Sequence, residues 1–222
     1  MRAMTLAVVT SAVLVGGLGW RDVHVTAMRQ TAAPANCVAI AIPKPSVSYA
    51  YEHTEASGNR SQYTQRWESV TPAGSRVRVT GPRGTEVQVN EHHIVDDVMV
   101  LDRQSKLNAN GGVIDATAFR PGIVGDPAFR ACAGRSWPIP SVTADYQSTQ
   151  ARASIATPAG TLTIIAVHEK ITVPAGQFDT VHYVRTSRSS DEYWKSIEHG
   201  VLVKHVGTLP GAVVTEVLLS IK

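Results

Sequence analysis

Eight histidines are the first residues to weigh for chemistry, because imidazole ligates metals and moves protons near neutral pH. Their spacing forms no site. His92 and His93 are adjacent, so on a strand they point to opposite faces and cannot chelate together. His168-Glu169 begins like the helix of a zinc protease, but the residue four beyond His168 is Thr172, and the surroundings read as strand. His182, His199 and His205 could meet across neighbouring strands, yet no cysteine supplements them and no ligand spacing supports them. No metal and no cofactor is expected.

Nucleophile chemistry fares no better. No serine stands between glycines in an elbow, and Ser136 in GRSWP lacks the sharp turn that would expose its hydroxyl. Asp96-Asp97 and Asp191-Glu192 are carboxylate pairs, but adjacent residues on turns are solvated, whereas glycoside hydrolysis needs two acids facing one another across a cleft. The chain reads as a non-catalytic protein, with a hydrolytic enzyme as the weakest alternative.

The elements that would position any site are strands. Val, Thr, Ser and Ala outweigh Leu, Glu and Lys, and only 18% of the 222 residues are charged, which favours sheet and argues against disorder. Arg2, Arg21 and Arg29 against Asp22 account for +2 of the formal +3 charge before residue 36. The near-neutral remainder argues against nucleic acid as a partner. Residues 1–27 read as an export signal: one early arginine, then an apolar run too short for a comfortable span, with cleavage after Ala27 or retention as an N-terminal anchor. The anchor would be the sole contact with a membrane. Residues 28–45, with Pro34, Pro43 and Pro45, read as an extended lead-in, and 46–222 as one β-rich domain. Cys37 and Cys132 fit one disulfide in an oxidising compartment, and lipidation of Cys37 is disfavoured because no small-residue box lies against it.

The strand pattern starts with Tyr49, Tyr51 and His53 on one face by period two, and a turn at Gly58-Asn59 leads to a second strand in which Tyr63, Gln65 and Trp67 share parity. Val77 and Val79 alternate with Arg76 and Arg78, which predicts arginines facing water. Residues 103–145 read as loops with a short strand near Val113, ending in SWPIP, where Trp137 plugs the end of a sheet and the prolines prevent pairing. Asp145 to Thr157 reads as one long alternating stretch. In the closing strand Val213, Thr215, Val217, Leu219 and Ile221 are expected on one face, and Glu216 on the other.

The most informative stretch is ITVPAGQF, together with the strands after it. Pro174 ends a strand at Val173, Gly176 lets the chain reverse with positive φ, and Phe178 should be buried beneath the turn. The next strands are expected at Thr180 to Thr186, around Tyr193-Trp194 and from Val201.

Taken together, Tyr49 to Tyr51, YTQRWE ending at Glu68, Leu101-Asp102, Trp137, VPAGQF, Trp194, Gly200, Lys204 and Glu216-Val217-Leu218 resemble a group of exported bacterial β-rich proteins. Members often place a proline between that tryptophan and glycine, whereas Lys195 to His199 contain none. The group is similar to envelope half-barrels of the periplasmic lipoprotein-carrier kind. The resemblance implies an all-β fold, with at most a minor helix: one strongly curved antiparallel sheet, a half-barrel or incomplete barrel of about ten strands. The export signal, cleaved or retained, already puts the body in an extracytoplasmic location, whether periplasmic, secreted or anchored to the outer face of the inner membrane.

On this reading Tyr49, Tyr51, Tyr63, Trp67 and Trp194 line a concave face that takes a lipid or other apolar ligand, while Gly176, Phe178 and Trp137 are structural. The alternative is a structural or assembly partner of other envelope proteins.

Overall fold

The structure, a computed structural model, describes residues 36–82, 84, 86–148, 152–187, 189–209 and 212–222. The expected export signal, residues 1–27, and the first part of the lead-in lie outside the described residues. Regular structure among the described residues is entirely strand. The first half contains β1 (Cys37–Ala39), β2 (Ser48–Thr54), β3 (Arg60–Thr71), β4 (Gly74–Thr80), β5 (Val87–Val95), β6 (Val98–Leu107), β7 (Val113–Pro127) and β8 (Arg130–Cys132). The second contains β9 (Ser136–Ile139), β10 (Val142–Ser148), β11 (Arg152–Thr157), β12 (Gly160–Val173), β13 (Gly176–Thr186), β14 (Ser190–Ser196), β15 (Leu202–Leu209) and β16 (Ala212–Ile221).

Fourteen of these strands form one antiparallel sheet in the order β11-β10-β7-β6-β5-β4-β3-β2-β16-β15-β14-β13-β12-β9, larger than the expected ten and not closed into a barrel. Hairpins build both halves, and the last strand pairs with β2, so the two meanders join as one surface. The sheet folds back on itself. Val98, Val100 and Val124 of β6 and β7 share a buried cluster with Leu162, Ile164, Val181 and Tyr183 of β12 and β13, strands far away in the hydrogen-bonded order. Burial of one sheet face against another part of the same sheet takes the place of a covering helix.

Several expectations need correction. The lead-in contributes a strand: β1 pairs with β8 with Cys37 directly opposite Cys132, and these two cysteines form the disulfide. Residues 103–145 are mostly strand. β7 runs through Pro121, Gly122 and Pro127, and its pairing with β6 is interrupted by register shifts that take up the residues unable to continue a regular ladder. The stretch from Asp145 to Thr157, expected as one, contains parts of two strands, β10 paired antiparallel with β11, with Gln147 opposite Arg152.

VPAGQF behaves as expected. Val173 and Gly176 close the β12–β13 pair, Gly176 has φ of 133°, and Phe178 is buried. Phe178 and Val173 pack in a second cluster with Tyr49, Tyr51, Trp67, Val203 and Leu218. Trp137 sits on the edge strand β9, buried in the first cluster, with its indole N–H donating to the Asp96 carbonyl. Pro138 is tolerated there because an edge strand needs pairing on one side only.

Candidate binding face

Antiparallel register brings one row of side chains into line across five strands. Tyr183 lies opposite Tyr193, Tyr193 opposite His205, His205 opposite Glu216, and Glu216 opposite His53. Directly opposed residues share a face at close spacing, so the rings stack: centroids are 5.0 Å apart for Tyr183 and Tyr193, and 4.4 Å for Tyr193 and His205. The Tyr183 hydroxyl donates to Asp126 at 2.5 Å. His205 Nε2 stands 3.5 Å from Asp191 Oδ1, without the geometry of a hydrogen bond. Gly207, opposite Asp191, leaves room for that approach; a Cβ there would lie 2.7 Å from Asp191 Oδ1.

Burial controls the protonation of this face. It pushes the Glu216 carboxyl up, while the Tyr63 hydroxyl and the nearby His205 and His53 hold it down in part. Burial also drives the Tyr183 hydroxyl well up, aided by the Asp126 carboxylate, and raises Tyr193 and Tyr63. Lys195 is buried and pushed down by desolvation, which Asp126 partly opposes, and its ammonium donates to the Pro127 carbonyl at 2.8 Å. These groups are tied to one another. They form a polar, aromatic interior, not a nucleophile facing open space.

The face opens at Tyr63. Its ring stacks on Tyr51 at 5.2 Å and walls a depression of about 310 Å³ that also takes in Ser61, Val79, Pro82, Gln88 and Lys106. The volume is at the lower end of small-molecule sites. Apolar contact from Tyr63, Val79 and Pro82 is combined there with hydrogen-bonding groups from Ser61, Gln88 and Lys106.

Of the five residues expected to line a concave apolar face, four share one side of the sheet: Tyr51 is opposite Tyr63, Tyr49 is opposite Gln65, and Trp67 has the parity of both. Tyr49, Tyr51 and Trp67 are 1%, 0% and 6% exposed, sealed by the second core cluster, and the Tyr51 hydroxyl donates to the Leu202 carbonyl. Of the five, Tyr63 alone lines this depression. Trp194 is on the other side, since it pairs with Lys204, Lys204 with Val217, and Val217 with Glu52, all of opposite parity to Tyr51.

There Trp194 stacks on His182 at 4.4 Å, lies under the Lys204 ammonium and donates to Glu169. Glu169 also binds His182 Nδ1. His182 and His205 therefore face opposite sides, and among the described residues no group of three or more His, Cys, Asp or Glu is placed to hold a metal ion.

Sequence reasoning misses Glu216, His205, Tyr193 and Tyr183 as members of one row, and Asp126 as the acceptor for Tyr183. Alternation separates Glu216 from Val213 and Val217, as the register shows, but does not say which of the two faces is enclosed; Val213 is 54% exposed. The usable signal is parity: Tyr183 shares it with Val181, and Tyr193 with Lys195 and Asp191.

Comparison with models of known protein families gives no match, and comparison with curated proteins gives none at a significant level.

Proposed function

We propose that this chain is an exported, non-catalytic binding module of the open half-barrel kind, seating a small amphiphilic ligand beside Tyr63. The depression walled by Tyr63 carries the proposal: it is the place where the inner face meets solvent with apolar surface and polar groups together. A long acyl chain fits less well, since Tyr49, Tyr51 and Trp67 are already covered by the chain's own side chains. The Cys37–Cys132 disulfide is compatible with an extracytoplasmic location.

The test uses anilinonaphthalene sulfonate, whose fused rings suit Tyr63 and Val79 and whose sulfonate suits Lys106. Saturable enhancement of its fluorescence, weakened at least about tenfold by Tyr63→Ala, is the expected result, equivalent to about 1.4 kcal/mol. Enhancement that does not saturate, or that is unchanged by Tyr63→Ala, would refute the proposal. Native mass spectrometry of protein from its own envelope should show a retained small molecule.

A second reading, assembly with another envelope protein, is favoured by one observation. β11 is an edge of the large sheet, Arg152 to Ala156 are all exposed, and Ile155 is 63% exposed. An unpaired edge of this sort templates an added strand from a partner. Photo-crosslinking from position 154 in intact envelopes should give a defined adduct that Ala153→Pro removes.

A further inference from the structure

On the face opposite Tyr63, the same cross-strand geometry gathers arginines. One row runs Arg76, Glu91, Arg103, Ala118, Asp145, Ser154, and the next includes Arg66, Arg78, Ala116, Gln147 and Arg152. Arg120 stands two residues beyond Ala118 on β7, pairing with Thr143.

The two ends of this face differ. Arg76 and Arg78 are neutralised: both bind Glu68, and Arg76 also binds Glu91 at 2.6 Å. Arg103, Arg120 and Arg152 line one trough with a single carboxylate, Asp145, which accepts a hydrogen bond from Ser154 and lies 3.7 Å from Arg120 alone. Among the described residues neither Arg103 nor Arg152 has a carboxylate within ion-pair distance, and Arg103 spends its Nε–H on Ser105.

Between these arginines the side chains of β7 shrink to Ala116 and Ala118, leaving an open trough of about 590 Å³. Neighbouring strands are about 4.8 Å apart, so Arg103 on β6, next to β7, and Arg152 on β11, beyond β10, line the trough from opposite sides. Three guanidiniums around one carboxylate repel one another unless an anion joins them, and the guanidinium fork matches the oxygens of a phosphate group.

We infer that this trough binds a phosphate oxyanion through Arg103, Arg120 and Arg152. The group belongs either to a soluble phosphate compound or to a phospholipid headgroup. The site is separate from the one beside Tyr63 and does not depend on it.

The full chain is titrated with inorganic phosphate by calorimetry, and separately sedimented with phosphatidylcholine vesicles with and without phosphatidylglycerol. Arg103→Gln should weaken binding about tenfold, and Arg103→Lys should lose most of that because an ammonium cannot form the paired bonds. Arg66→Gln removes the same charge from the same face outside the trough and should change affinity less than about twofold. Saturable phosphate binding without vesicle binding identifies a soluble ligand. Phosphatidylglycerol-dependent binding that phosphate displaces identifies a headgroup. Equal losses in Arg66→Gln and Arg103→Gln, or binding of neither probe by the unaltered protein, overturns the inference. Arg103 is exposed, so Arg103→Gln should keep the unaltered denaturation midpoint, and it should leave the anilinonaphthalene sulfonate signal at Tyr63 intact.

Discussion

The hydroxyl of Tyr63 and the carboxyl of Glu216 influence one another across an intervening strand. Tyr63 pairs with Tyr51 of β2, yet it interacts electrostatically with Glu216 of β16, on the far side of β2. The interaction links the mouth of the depression to the buried aromatic row.

Glu216 gives a prediction for pH dependence. Burial raises its folded-state pKa above the ordinary value of 4.5, so the folded chain holds this proton more tightly than the unfolded chain does. The resulting stability is complete below the unfolded pKa and is lost as pH rises through the raised folded value. Glu216→Gln keeps the shape of the side chain and removes the titration. Urea midpoints of the unaltered protein should therefore fall more steeply than those of the variant from about pH 4.5 upward. Parallel profiles would show that Glu216 does not titrate as its burial demands.

Gly176 tests backbone strain without steric overlap. Its φ of 133° is a conformation that side chains with a Cβ rarely adopt, while a Cβ placed there would meet nothing nearer than the Phe178 ring at 4.0 Å. Gly176→Val should cost about 1–3 kcal/mol through the backbone alone. Chemical denaturation with midpoints equal to those of the parent would contradict this.

Phe178 should behave as a core residue. It is 8% exposed, and its ring meets His199 edge-on with centroids 5.9 Å apart. Phe178→Ala should lose about 3–5 kcal/mol, and Phe178→Leu distinctly less because more of the volume is retained. Equal losses for the two variants would point to a specific ring contact and not to cavity formation.

The parts of this fold that can be read in the sequence are those fixed by local chemistry. Pro174 and Gly176 mark a turn in any context, and period-two alternation locates Val77 and Val79 correctly with Arg76 and Arg78 outward. β7 escapes such reading because Pro121, Gly122 and Pro127 are turn residues locally, and only pairing with β6 and β10 holds them in a strand. Trp194 is expected on the wrong face because parity within one strand does not say which face of the sheet it shares with a strand distant in sequence; the register through β15, β16 and β2 does. Alternation places Glu216 on the other face from Val213 and Val217 but cannot say which of those faces is enclosed. The charge of the whole chain likewise conceals Arg103, Arg120 and Arg152, since a sum carries no positions.

The disulfide offers the remaining test. Cys37 and Cys132 are 95 residues apart in sequence, and a crosslink over a loop of about that length is worth about 4–5 kcal/mol in the chain-entropy model, an upper figure. It is not the only attachment of β1. Ile40 N–H donates to the Phe129 carbonyl and Ala41 N–H to that of Ile197, while Val38 and Ile40 are buried beside Ala131 in the first core cluster. A Cys37→Ala, Cys132→Ala double variant should therefore fold with a native near-ultraviolet spectrum but unfold at distinctly lower urea. Reductant should lower the parent protein to the same midpoint and leave the variant unchanged. If the parent's midpoint did not respond to reductant, the stability would have to come from the packing of Val38 and Ile40 alone, and the crosslink would contribute nothing to the folded chain.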